Sequence, residues 1–389
     1  MMRANEKTNL GAPEALDLVR AGKVIEATAA IQRNLGSPLA ANDAPLGANS
    51  RTHVPPESEW RFRAPRSKDS PQGTTAPSPR DSTPQRTSGM VLGARFISSS
   101  YSNEAGARSY KLYVPSGYAG QAVPLIVMLH GCQQDPDDFA AGTCMNDMAE
   151  DHNCLVAYPA QSAAANPSNC WSWFRRTDQK RDRGEPSLIA GITREIIGTY
   201  CIDARQVFAA GLSAGGAMTA VMGATYPDLY AAIGVHSGLP YASAHNVTSA
   251  FTAMRRGAGV RRRRRQGDAD ERDKHNKSSV PMIVFHGDHD TTVHSCNGEQ
   301  LISQWAEAGG RGAMGLRMTV QHGRVTDGHA YTRAVYQDSD ERNCLEHWRV
   351  HGAGHAWSGG SARGSYTDPQ GPDATREMLR FFLQNHKSA

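Results

Sequence analysis

The string Gly211-Leu212-Ser213-Ala214-Gly215 sets one serine between glycines, directly after the apolar residues 207–210 and before Gly216-Ala217-Met218. An apolar run that breaks into Gly-x-Ser-x-Gly and resumes with helix-forming residues predicts strand, sharp turn and helix, the setting of a nucleophile elbow. Such a turn strains the serine backbone, and only small flanking residues leave room for it. The following helix aims its N-terminal amides at the same spot. The plain alternative is a βα turn with an ordinary serine. A serine hydroxyl attacks only when a histidine takes its proton and a carboxylate orients that histidine. In elbow enzymes the chain order is serine, acid, histidine.

Position decides among the 15 histidines. The apolar residues 282–285 run into His286-Gly287-Asp288-His289-Asp290-Thr291-Thr292-Val293, where the acid belongs at a strand's C-terminal end. Asp290 is the first candidate and Asp288 the competitor; spacing alone does not separate them, and either could instead cap a turn. Residues 348–350 run into His351-Gly352-Ala353-Gly354-His355-Ala356-Trp357, which makes His355 the candidate base and His351 the runner-up. Two backbone amides must bind the developing oxyanion. Ala214 supplies one, and the loop His130-Gly131-Cys132-Gln133-Gln134 is expected to supply the other through Cys132. Cys132 and Cys170 are one pair a disulfide can join, but connectivity cannot be read from sequence. The cluster Cys170-Trp171-Ser172-Trp173-Phe174 stands out in a chain that is only 7% aromatic. Trp171, Trp173 and Trp357 are therefore assigned to a substrate pocket, with a satellite core cluster as the bland alternative.

Several elements must position these groups. Residues 91–98 and 109–115 predict an antiparallel strand pair. Apolar runs at 125–129, 155–158, 207–210, 231–235, 282–285 and 348–350 suit strands buried on both faces of a mostly parallel sheet. Helical segments near 185–200, 214–226, 297–308 and 372–386 alternate with them. The alternation predicts an α/β fold with helices on both faces of the sheet.

The rest of the chain is organised differently. Residues 1–36 carry a helical stripe (Leu16, Val19, Val24, Ala27, Ile31, Leu35) and are expected to form a small helical appendage. Residues 37–89 are rich in Pro, Ser, Thr and Arg and are expected to be a disordered linker, which accounts for the low 39% hydrophobic content. Residues 90–389 form the α/β domain, interrupted at 255–279 by an insertion holding Arg261 to Arg265. With charges of both signs and no interleaved aromatics, this insertion reads as solvated rather than as a nucleic-acid patch. The net charge of +4 does not suggest a nucleic-acid partner either. No run of 18 apolar residues predicts a membrane span. The polar start, residues 1–10, lacks the apolar stretch of a secretory signal, so the cytoplasm is the expected location.

Taken together, Leu129-His130-Gly131-Cys132-x-Gln134, Cys170-Trp171-Ser172-Trp173-Phe174, Gly211-Leu212-Ser213-Ala214-Gly215-Gly216-Ala217-Met218, His286-Gly287-x-x-Asp290-x-x-Val293 and Gly354-His355-Ala356-Trp357-Ser358-Gly359-Gly360 resemble the polyhydroxybutyrate (PHB) depolymerase family esterases. The resemblance covers about residues 105 to 384. It implies a cofactor-free, metal-free serine hydrolase of the α/β-hydrolase fold with Ser213, Asp290 and His355 as triad, and it selects Asp290 over Asp288. It implies ester or polyester substrates, from poly(3-hydroxybutyrate) and its oligomers to feruloyl and acetyl esters of polysaccharides, with a polymer granule as a surface partner. The stretch around Ala21-Gly22-Lys23 resembles the leader of unsecreted-looking bacterial members, whereas an extracellular location would follow the secreted ones. The arginine-rich insertion is not part of the family pattern. A peptidase with the same triad and a non-catalytic granule- or nucleic-acid-surface protein are the rival readings.

Overall fold

The computed structural model describes residues 93–257, 280–308 and 316–387. The expected helical appendage at 1–36, the linker at 37–89 and the arginine run of the 255–279 insertion lie outside the described residues.

Apolar residues run almost without interruption through β3 (Val123–Leu129), β4 (Leu155–Pro159), the second half of β5 (Ile202–Leu212), β6 (Ala232–His236) and β7 (Met282–Gly287). Such strands form only where both faces are covered. Neighbouring residues therefore point to opposite layers. Leu125, Val127 and Leu129 pack into one core and Ile126 and Met128 into the other, just as Val207 and Ala209 part from Phe208 and Ala210.

Five further strands complete a ten-stranded sheet: β1 (Arg95–Asn103), β2 (Gly106–Val114), β8 (Arg317–Arg324), β9 (Ala330–Gln337) and β10 (Asn343–Val350). Their order is β1-β2-β4-β3-β5-β6-β7-β10-β9-β8. The strands from β4 to β10 in that order are parallel to their neighbours, and both margins are antiparallel.

Helices cover both faces. On one side lie α3 (Gly184–Thr199), α4 (Ala214–Thr225), α5 (Val247–Arg256) and α6 (Cys296–Ala308). On the other lie α1 (Pro136–Thr143), α2 (Met145–His152) and α7 (Ala374–Gln384). Phe208 of β5 stacks on Phe382 of α7 with ring centroids 4.9 Å apart. Truncating such a buried ring to alanine costs about 3–5 kcal/mol.

The predicted strands and the four predicted helices are present, with ends shifted by a few residues. The hairpin β8–β9 and helices α1, α2 and α5 were not foreseen. β8 is exposed along nearly its whole length, so burial did not impose an apolar pattern on it. The helices are only 8 to 10 residues long, too short for a full periodic signal.

The chain passes from β3 outward to β4 and then back across β3 to β5. The strand order thus reverses between β3 and β5, where open α/β sheets form a crevice at their carboxyl ends. The loops after β3, β5, β7 and β10 all open at that edge.

Candidate active site

β5 ends at Leu212 and α4 begins at Ala214, which leaves Ser213 alone at the turn with φ 58° and ψ −118°. Non-glycine residues avoid this region, so the conformation is strained and must be held by its surroundings. The Ser213 amide donates to the His236 carbonyl at 2.9 Å, and the Ser213 carbonyl accepts from Ala217. The glycines are obligatory by space. A Cβ on Gly215 would stand 2.0 Å from the Leu129 carbonyl oxygen, and one on Gly211 would stand 2.5 Å from the Gly215 backbone.

The loop after β7 holds Asp290 rigidly. One carboxylate oxygen accepts from the amides of Thr292 (2.9 Å) and Val293 (2.8 Å), and the other accepts from His355 Nδ1 at 2.7 Å. The buried His286 ring lies 3.5 Å from the same oxygen and reaches the Val293 carbonyl with Nε2. Burial pushes the Asp290 carboxyl up, but the charges and hydrogen bonds of His355 and His286 outweigh it and hold the group well below the usual carboxylate range. With Nδ1–H donated to Asp290, His355 keeps its Nε2 lone pair for a proton.

The two runners-up meet each other. His351 Nδ1 lies 2.7 Å from Asp288, which also accepts from the Gly352 amide, and His351 Nε2 contacts the Thr332 hydroxyl at 2.8 Å. The structure therefore sorts the four candidates into two pairs, and of the four only His355, with Asp290 behind it, lines the cavity that holds Ser213. No hydrogen bond joins the Ser213 hydroxyl to the His355 ring among the described residues. Such contacts commonly tighten when substrate enters.

The loop after β3 is braced from several sides. Gln134 accepts the Gly131 amide at 2.9 Å and donates to Asp138 and the Ser365 carbonyl. His130 accepts the Gln161 amide at Nε2, so its Nδ1–H donates to the Gly131 carbonyl at 2.8 Å, and burial lowers its pKa. A disulfide joins Cys132 to Cys170. Behind it, the buried Glu185 accepts from the Ser172 amide, Gln161 and Arg108, and burial and then Asp178 push its carboxyl up. Among the described residues the amides of Cys132 and Ala214 have no protein acceptor, and both residues line the same cavity as Ser213. Two such donors, when aimed at one point beside a hydroxyl, can hold an anionic oxygen.

The cavity encloses about 390 Å³, and among the described residues no Asp, Glu, Lys or Arg lines it. Trp173 and Phe174 face it, but the assignment of Trp171 and Trp357 to the pocket is corrected: both are fully buried away from it. A large indole with a donor settles in the core when its N–H finds a partner there. Trp171 donates to the His130 carbonyl at 3.1 Å, beneath the loop rather than in the cavity. Trp357 donates to the Thr375 hydroxyl at 2.9 Å and stacks on His236. Sequence reasoning missed Leu239, Tyr366 and the α5 residues Val247, Phe251 and Met254. The α5 signal was available: apolar residues at 247, 250, 251 and 254 follow Asn246, a capping residue paired with Ser249.

Comparison with known proteins places the chain in a family. The family described as Esterase PHB depolymerase matches residues 108–322, more than half of the chain. Poly(3-hydroxyalkanoate) depolymerase C of Paucimonas lemoignei is 30% identical over 271 residues, which is 69% of this chain and 63% of the relative, so the chain spans less than two thirds of that protein. Feruloyl esterase B of Neurospora crassa is 28% identical over 308 residues, covering 76% of this chain and 94% of the relative. The solved acetyl xylan esterase from Aspergillus awamori superposes with a TM-score of 0.55 at 20% identity, covering 75% of this chain and 99% of that one, a likeness of fold. This chain is a member of the esterase PHB depolymerase family, built on the α/β-hydrolase fold.

Proposed function

We propose that this chain hydrolyses carboxylic esters through an acyl-enzyme on Ser213. The hydroxyl adds to the ester carbonyl as its proton passes to His355 Nε2, and Asp290 steadies the imidazolium through Nδ1. The amides of Cys132 and Ala214 hold the tetrahedral oxyanion. Collapse expels the alcohol, which takes the proton from His355. Water, deprotonated by the same ring, then releases the acid and regenerates Ser213. The observation that carries the reading is the buried 2.7 Å Asp290–His355 contact at the cavity where Ser213 sits in a strained turn. Replacing Ser213 by Ala lowers kcat on p-nitrophenyl butyrate by roughly 10⁴–10⁶-fold in this reading. Near-full activity in that variant overturns it.

A neutral ester is the substrate best matched to this site, because among the described residues the cavity lining carries no formal charge to balance an ionic group. Poly(3-hydroxybutyrate), its oligomers and short-chain acyl esters fit this description, in keeping with the depolymerase relative. A second reading, a feruloyl or acetyl polysaccharide esterase, is favoured by Trp173 and Phe174 at the cavity and by the feruloyl esterase relative. Rates on 3-hydroxybutyrate dimers and on methyl ferulate separate the two. Among the described residues no helix is long and apolar enough to cross a membrane. The Cys132–Cys170 disulfide supports an oxidising compartment over the cytoplasm expected from the N-terminal residues.

A further inference from the structure

Helix α5 shows a one-sided design that the proposed chemistry does not use. Asn246 accepts the Ser249 amide at 2.8 Å and so fixes the helix start. From there Val247, Ala250, Phe251 and Met254 follow the i, i+3, i+4, i+7 rhythm of one helix face, and all four line the Ser213 cavity. Thr248, Thr252, Arg255 and Arg256 are exposed. The far end of α5 is tied down by the chain that follows Asp290. His294 donates its amide to the Met254 carbonyl at 2.8 Å, and the buried Asn297 side chain donates to the Ala253 carbonyl at 3.0 Å. One segment thus fixes both the acid of the proposed triad and the apolar wall facing the substrate.

That wall is far larger than an acetyl group needs. The cavity volume of about 390 Å³ falls in the range of pockets that enclose whole small ligands. Ala250 is the one small side chain of the stripe, set between larger apolar neighbours, so it leaves room where a bulkier residue would close it. Met254 is unbranched and adapts its shape to what it packs against.

The geometry points to α5 as the specificity wall of the site: Val247, Phe251 and Met254 receive the apolar chain of a neutral ester, and Ala250 sets how long a chain fits. This rests on the proposed ester hydrolysis at Ser213 and adds the substrate class, esters whose apolar chain exceeds acetyl. Each methylene admitted to or excluded from an apolar pocket changes kcat/KM by about 10-fold or more.

The test measures kcat/KM for p-nitrophenyl acetate, butyrate and octanoate with the full chain and with Ala250→Leu, Met254→Ala and Thr252→Ala. Ala250→Leu is expected to lower the octanoate-to-acetate ratio at least about tenfold, and Met254→Ala to raise it. Thr252→Ala, on the solvent face of the same helix, leaves the ratio where it is. The proposal is overturned if Ala250→Leu and Met254→Ala scale all three esters by one common factor, because a helix that only supports the fold has no means of reading chain length. Ser213→Ala is assayed on the same three esters. Persisting hydrolysis there rejects the triad itself, an outcome separate from an unchanged chain-length ratio.

Discussion

Asp290–His355 and Asp288–His351 are built alike, each a 2.7 Å contact from a carboxylate to the Nδ1 of a ring, each bridging the loop after β7 to the segment after β10. Their surroundings differ. The Asp290 and His355 side chains are 0% and 11% exposed, against 28% and 38% for Asp288 and His351. Asp290 has two further backbone amides and His286, whereas Asp288 has the Gly352 amide. The outer nitrogen of His355 is left for a reacting group, while that of His351 is occupied by Thr332. Thr332 lies in the extended strand β9, with no tight turn and no helix N-terminus behind it. In the proposed function only the Asp290–His355 pair takes part in catalysis, so a hydroxyl, a histidine and an aspartate brought together are not expected to react by themselves. Water exclusion, a strained turn and unsatisfied amides are what the proposed function adds at Ser213.

Asp290→Asn is the sharpest attack on this contrast. It keeps the shape but reverses the hydrogen-bond demand on His355, and kcat on p-nitrophenyl butyrate should fall about 10⁴-fold. Asp288→Asn should lower kcat less than about tenfold and cost about 1 kcal/mol of stability, read by urea unfolding, since its lost hydrogen bonds are partly open to water. Equal losses in the two variants would erase the distinction. The smallest expected effect concerns the ring beneath the site. Burial, helped by His286 and His355, pushes the His236 pKa down to about 3. A group whose folded pKa is depressed contributes stability that is whole above its unfolded value, about 6.5, and is lost as the pH falls toward the folded value. Thermal scans from pH 7 to pH 4 should show a falling melting temperature, and His236→Gln should flatten that slope.

Much of this was legible in the residues. The central strands could be read because both of their faces are buried, which forces apolar runs such as 125–129. The elbow could be read because steric demand admits only glycine at 211 and 215. The partition of Asp288, Asp290, His351 and His355 into two pairs was not legible from spacing, since both pairs are drawn from the same two loops and only three-dimensional placement separates them. Trp171 and Trp357 misled for a related reason: an indole in an aromatic cluster or beside a candidate base looks the same in sequence whether it turns to the cavity or to the core. Strand β8 left little trace because an exposed edge places few demands on its side chains.

The contact between residue 215 and the Leu129 carbonyl has a consequence for mutational tolerance. Since even a methyl group there would fall 2.0 Å from backbone oxygen, no alternative rotamer relieves the clash. In a saturation library screened for turnover, that codon should return a single letter, while its helix neighbour Ala217 accepts at least a serine. A site so narrowly permissive marks where two strands and a helix are cinched together, and in the proposed function the tightness of that knot keeps the serine aimed.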